Sequence, residues 1–168
     1  MCIRDSLQTI ENKVLSRSII GKSAPILAEI MIRKSQRTTT MGTSILSRFI
    51  ECSMQFPDNP AIFVEDRSYT YGELNGVCSA MCALLKAYDI QKGDRVGILM
   101  ENNVYTYASL LGILACGACY VPLNYDNPVE RNREIIADAG MRVLLYTAKE
   151  EQAHELSVSL GTESVSYT

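Results

Sequence analysis

Ala115-Cys116-Gly117-Ala118-Cys119-Tyr120-Val121-Pro122-Leu123-Asn124-Tyr125-Asp126-Asn127-Pro128-Val129-Glu130-Arg131-Asn132-Arg133 is the stretch that divides this chain into its elements. An apolar helical run ends at Gly117, Cys119 to Leu123 is short and β-rich, and Asn124 to Pro128 carries turn chemistry ahead of another helical segment. This is α-β-loop-α punctuation. It predicts a buried strand held between two helices, the grammar of an α/β fold.

On the amino-terminal side, Tyr71-Gly72-Glu73-Leu74 begins a helix to about Tyr88, with Leu74, Val77, Cys78, Met81, Leu84 and Leu85 on its buried face. Lys92-Gly93-Asp94 turns the chain, and Arg95 to Leu99 is apolar enough for a central strand. Asn102 or Asn103 caps the next helix, Val104 to Cys116. Earlier still, Ile45 to Gln55 has helical periodicity behind a Thr43 or Ser44 cap, and Ala61 to Val64 with Ser68 to Tyr71 form a hairpin around Glu65-Asp66-Arg67.

On the carboxyl-terminal side, Val129 to Ala139 is a helix stopped by Gly140, Met141 to Tyr146 is a third buried strand, and Ala148 to Leu156 is helical. Two successive βαβ units result. Their strands should lie parallel, as neighbours or near neighbours, in a partly parallel sheet flanked by helices. Cys119 to Leu123 is expected to be the most sensitive strand and Val121 its most sensitive residue, because a parallel strand covered on both faces offers no water to a polar replacement.

Composition narrows the class. The chain has 168 residues, 47% hydrophobic and 21% charged, enough for one domain with a real core. Residues 1–40 carry seven Lys and Arg against three Asp and Glu, whereas residues 41–168 carry nine against sixteen. The main body is acidic, which argues against a nucleic-acid partner. Asn102 to Tyr125 has no charged residue and is long enough to cross a bilayer. Gly112, Gly117, Pro122, Asn124 and the tyrosines interrupt it, so a helix followed by a buried strand is the better reading, with no membrane span.

The six cysteines, Cys2, Cys52, Cys78, Cys82, Cys116 and Cys119, lie mostly in apolar segments, which favours reduced, buried thiols and a cytoplasmic setting. Cys78-x-x-x-Cys82 and Cys116-x-x-Cys119 raise a zinc site as the sharper alternative. No polar knuckle surrounds either pair and the single His154 is distant, so no metal ligand is assigned.

Three motifs in order, Tyr69-Thr70-Tyr71-Gly72-Glu73-Leu74, Lys92-Gly93-Asp94-Arg95-Val96-Gly97-Ile98-Leu99 and the opening stretch, resemble the N-terminal part of adenylate-forming enzymes, the superfamily of acyl-CoA synthetases and peptide-synthetase adenylation domains. The resemblance runs from about Gly42 to about Leu156. Tyr120-Val121-Pro122-Leu123-Asn124 followed by Asn127-Pro128-Val129-Glu130-Arg131-Asn132 looks closer to the amino-acid-activating branch. The resemblance implies a parent using ATP and magnesium to activate an amino acid or other carboxylic acid and pass it to a carrier-protein or CoA thiol. It further implies that residues 41–168 are the incomplete N-terminal portion of a larger adenylate-forming domain. A non-catalytic α/β module that binds or oligomerises through the same sheet is the alternative.

Ligands of open parallel sheets gather beyond the carboxyl ends of the strands, here Met100 to Asn103, Asn124 to Asn127 and Thr147-Ala148. Asn102, Asn103, Asn124 and Asp126 are the candidate ligand-contacting residues, and each also has adequate work as a cap or turn former. Glu130, Arg131, Arg133 and Glu134 read as a solvated helix face, as do Glu150 and Glu151. His154 has no Ser or Cys elbow to serve, so no catalytic residue and no cofactor-binding residue is assigned. The family's Ser/Thr/Gly-rich phosphate loop ending in Lys-Gly has no counterpart up to Thr168, nor has its catalytic lysine, and the chain alone is expected to be inactive and to need no cofactor.

Residues 1–40 share neither the charge balance nor the α/β rhythm of the rest. They read as an artefactual or disordered basic extension ahead of Met41-Gly42-Thr43-Ser44, or as an organellar transit peptide. Either reading makes them dispensable for folding. Deleting them should leave the midpoint of thermal unfolding within about 2 °C of the full chain, the scatter of substitutions that touch no core. A drop of 10 °C or more would show that they pack on the domain.

Overall fold

The computed structural model describes residues 44–99, 102–146, 156 and 163–166. The basic extension, the Met100-Glu101 and Thr147-Ala148 strand ends and most of the Ala148 to Leu156 segment lie outside the described residues. Helix α1 (Ile45–Gln55) starts where the Ser47 N–H donates to Ser44 Oγ at 3.1 Å, making Ser44 the cap. A two-stranded antiparallel hairpin follows, β1 (Pro60–Val64) and β2 (Arg67–Thr70), with Glu65 in the left-handed region at its turn.

Helix α2 (Tyr71–Ala87) begins in a reciprocal capping box. The Glu73 N–H donates to Thr70 Oγ1 at 3.2 Å, and the Thr70 N–H donates to Glu73 Oε2 at 2.9 Å. Strand β3 (Arg95–Leu99), helix α3 (Val104–Ala115), strand β4 (Cys119–Pro122), helix α4 (Val129–Ala139) and strand β5 (Val143–Tyr146) complete the two βαβ units. Gly140 ends α4 at φ +58°, where a residue with Cβ would be strained. The chain adds β6 (Glu163–Ser166), and the four-stranded sheet is parallel throughout in the order β4-β3-β5-β6.

The sheet separates two apolar layers. Val96 and Ile98 of β3, with Val143 and Leu145 of β5, pack against Met81, Leu85 and Ile113 of α2 and α3. On the opposite face Leu99, Leu144 and Tyr146 pack with Leu123, Met141 and Ile136 of α4. Side chains alternate between faces along a strand, and both faces of β3 and β5 are covered. Behind α2, Leu46, Phe49 and Ile50 of α1 close a third cluster with Leu74, Val77 and Val104.

The position of β4 differs from the sequence expectation. Among the described residues it pairs only with β3 and lies at one edge of the sheet, with Cys119, Tyr120 and Pro122 exposed and Val121 half-buried. It is β5, like β3, that is paired on both sides and covered on both faces, where β4 is not. Apolar composition alone does not distinguish the two, since the position within a sheet depends on which strands find each other and not on local sequence.

At the amino end of the sheet a charged clamp joins three turns. Arg142 Nη1 donates to Asp94 Oδ2 at 3.0 Å and to the Asp89 carbonyl at 2.9 Å, while the Gln91 N–H donates to Asp94 Oδ2 at 2.9 Å. The bond from Gln91, and then Arg142, hold the Asp94 carboxyl below its ordinary range. At the carboxyl end the described residues are mainly amides, Asn102, Asn103, Asn124 and Asn127, with Asp126 exposed among them.

Candidate functional site

Strand β3 delivers its carboxyl end to a loop, residues 124–128, that is closed on itself by side-chain bonds. Tyr125 Oη donates to the Leu99 carbonyl at 2.6 Å, which ties the loop to the last residue of β3. The Asp126 N–H donates to Asn124 Oδ1 at 3.0 Å, a turn in which the Asn side chain stands in for backbone. Asn132, fully buried on the inner face of α4, donates through Nδ2 to the Asn124 carbonyl at 2.9 Å and accepts at Oδ1 from Asn127 Nδ2 at 3.1 Å. A buried amide with both ends satisfied fixes the loop more firmly than a turn alone.

The four candidate asparagine and aspartate positions separate in the structure. Asn103 is the cap of α3, accepting from the Thr106 N–H at 3.1 Å, and Asn102 accepts from Tyr107 Oη at 2.8 Å. Asn124 serves its own loop, and Asp126 stands exposed beside it. Asn132 and Tyr125 were not among the candidates, yet they hold this end together. Asn132 had a legible signal, since Val129, Asn132 and Ile136 fall at the i, i+3, i+7 spacing of an inward-facing helix stripe, where a polar residue needs a partner.

The cysteines are rearranged relative to their spacing in sequence. Cys78 and Cys82 are buried on α2 and Cys52 and Cys116 are half-buried, all free thiols, whereas exposed Cys119 departs from the default expectation of buried thiols. Among the described residues no three His, Cys, Asp or Glu side chains converge as metal ligands. No helix among those residues is long and apolar enough to cross a membrane, and Asn102 to Tyr125 is α3 and β4.

The order of these elements and the pinned loop at the carboxyl end of the sheet bring the family comparison into focus. Residues 49–167 match the family model described as AMP-binding enzyme. The chain belongs to this family. Surfactin synthase subunit 1 of Bacillus subtilis is 36% identical over 97 residues, 58% of this chain and 3% of that protein. Phenyloxazoline synthase MbtB of Mycobacterium tuberculosis is 34% identical over 110 residues, 65% of this chain and 8% of that protein. Among solved structures, the fused adenylation-PCP di-domain NpsA-ThdA from Klebsiella oxytoca superposes with a TM-score of 0.63 at 30% identity, covering 74% of this chain and 23% of that one. The chain thus spans a small fraction of the length of each, and it corresponds to the N-terminal part of an adenylate-forming enzyme.

The pinned loop is a poor seat for the triphosphate that an AMP-binding enzyme uses. Residues 102–103 and 124–128 contain no Lys, no Arg and no Gly, so they offer neither a countercharge nor the glycine-lined nest of N–H groups that phosphate demands. What the described residues supply at this end of the sheet is a rim pinned to β3 and α4.

Proposed function

We propose that this chain forms the N-terminal scaffold of an ATP-dependent ligase that adenylates an amino acid or related carboxylic acid and then passes the acyl group to a carrier-protein thiol. The observation that carries the reading is the family match over residues 49–167, with an adenylation-PCP structure covering 74% of the chain beside it. In that reaction a carboxylate oxygen attacks the α-phosphate of ATP, pyrophosphate leaves, and the thiol later displaces AMP from the acyl carbon. Magnesium would accompany the ATP, and both would be held by segments other than the loop described here.

In this scheme α2, α3 and the β3-β5 core support the rim, and Asn132 and Tyr125 hold the 124–128 loop in one position. Transfer to CoA in place of a carrier protein is the less favoured outcome, because peptide-synthetase relatives carry the match. The test is carboxylate-dependent exchange of labelled pyrophosphate into ATP. A longer protein that contains this chain should exchange with a panel of amino acids, and the 168-residue chain alone should show no signal above a no-enzyme blank. Exchange by the 168-residue chain would overturn the scaffold assignment, and absence of exchange by the longer protein with every carboxylate tried would overturn the ligase.

A further inference from the structure

Two cysteines that are 34 positions apart in sequence meet between α2 and the end of α3, their sulfurs 3.3 Å apart. Cys82 lies in the middle of α2 and is fully buried, whereas Cys116, the residue that closes α3, is half-buried. We propose that Cys82 and Cys116 are a modification site, a thiol pair that hydrogen peroxide converts to a disulfide and that thiol reductants restore. The pairing belongs to the fold. Spacing in sequence groups Cys82 with Cys78 and Cys116 with Cys119, and neither of those groupings is the close one.

Either sulfur can donate the hydrogen to the other, so one proton is shared between them. The bond from Cys116 holds Cys82 below the ordinary thiol value, against burial and with help from the Lys86 ammonium one helical turn away. The same bond, with burial, pushes Cys116 up, so the pair sheds one proton and keeps the second. Cys78, a turn earlier on α2, is pushed up to about 12, first by burial and then by Cys82, which leaves it an inert core thiol.

Cys116 is the less buried residue of the pair. Passing the shared proton from Cys116 to Cys82, which either sulfur can hold, puts the thiolate at Cys116; it attacks one oxygen of peroxide, the O–O bond breaks, and the departing hydroxide is protonated to water. The Cys82 sulfur then attacks the resulting sulfenic sulfur. The S–S bond forms, the S–O bond breaks, and the Cys82 proton leaves with the hydroxyl as a second water. Two thiols and one peroxide thus give one disulfide and two waters. The sulfurs must close from 3.3 Å to about 2.05 Å to form the bond.

The full chain, reduced and then exchanged out of reductant, is treated with hydrogen peroxide, its remaining thiols are alkylated, and the tryptic peptides are sequenced by tandem mass spectrometry. Lys86, Lys92 and Arg95 lie between the two cysteines, so cleavage separates them unless they are linked. The expected product is a Cys82–Cys116 cross-link at least tenfold more abundant than any other pairing, reversed by dithiothreitol and lost from that dominance when oxidation is done in urea. In a Cys116→Ser chain Cys82 should remain alkylatable after denaturation, with no new link to Cys119. The proposal is overturned if Cys82 and Cys116 stay free while exposed Cys119 is oxidised, if Cys119 substitutes for Cys116, or if the same cross-link predominates in urea. Because the mapping in the unsubstituted chain carries the result, a folding defect in the variant would not mask it.

Discussion

Replacing Leu144 by Asp should abolish the soluble fold. Leu144 has 0% exposure at the centre of β5, with β3 hydrogen-bonded on one side and β6 on the other. Its side chain packs among Leu99, Leu123, Ile136, Met141, Tyr146 and Leu156, none of which carries a positive charge to offset a carboxylate at that depth. The substitution removes about 2–3 kcal/mol of apolar burial and adds a desolvation cost of several kcal/mol, against a total stability of roughly 5–15 kcal/mol for a domain of this size. Val121→Asp, at the register-equivalent position on β4, should cost only about 1–2 kcal/mol, because an edge strand with exposed flanks lets the carboxylate reach water. Soluble yield and urea unfolding of the two variants decide the matter. Equal losses would mean that β4 is as enclosed as β5 and that the strand order is wrong.

The second large effect lies where α2 and α3 cross. Gly112 faces α2 so closely that a Cβ there would stand 2.9 Å from Met81 Cγ and 3.0 Å from Met81 Cβ, with the Cys78 carbonyl at 3.4 Å. Met81 Cβ is fixed to the helix backbone and cannot swing aside, so any side chain must push the helices apart. Gly112→Leu should destabilise by about 3 kcal/mol, the upper part of the usual overpacking range. Gly76, on α2, has open space where its Cβ would go, and Gly76→Ala should instead stabilise by about 0.5–1 kcal/mol through helix propensity and a less entropic unfolded chain. Thermal unfolding of both should move the midpoint in opposite directions. A neutral Gly112→Leu would show that the helices do not approach as described.

Local chemistry was legible and global pairing was not. Helices α1 and α4 run over the residues that periodicity and punctuation assign, because Ser44, Pro128 and Gly140 act within one turn of the boundaries they set. The Asn103 cap is local in the same sense. Strand β6 was missed because Glu-Ser-Val-Ser offers one apolar side chain, Val165, and owes its place to β5 beside it. The edge position of β4 and the approach of Cys82 to Cys116 are also long-range outcomes, set by the crossing of α2 and α3 and by β3 pairing with both later strands. Asn132 lies between these cases, since its helix stripe announces burial while its partners, Asn124 and Asn127, are fixed only when the loop closes.

During synthesis β3 leaves the ribosome before either strand it will pair with, because β4 and β5 are both encoded after it. One of its faces has a partner waiting: Met81 and Leu85 of the already-made α2 meet Val96 and Ile98. The other face, where Leu99 will meet Leu123, Ile136 and Tyr146, has its described partners downstream. The nascent chain therefore carries a half-covered apolar strand with unsatisfied N–H and C=O groups on both sides until translation has passed Tyr146. Assembly acquires a direction, α2 first and sheet last, and the interval between Leu99 and Tyr146 is when the apolar strand is most open to association.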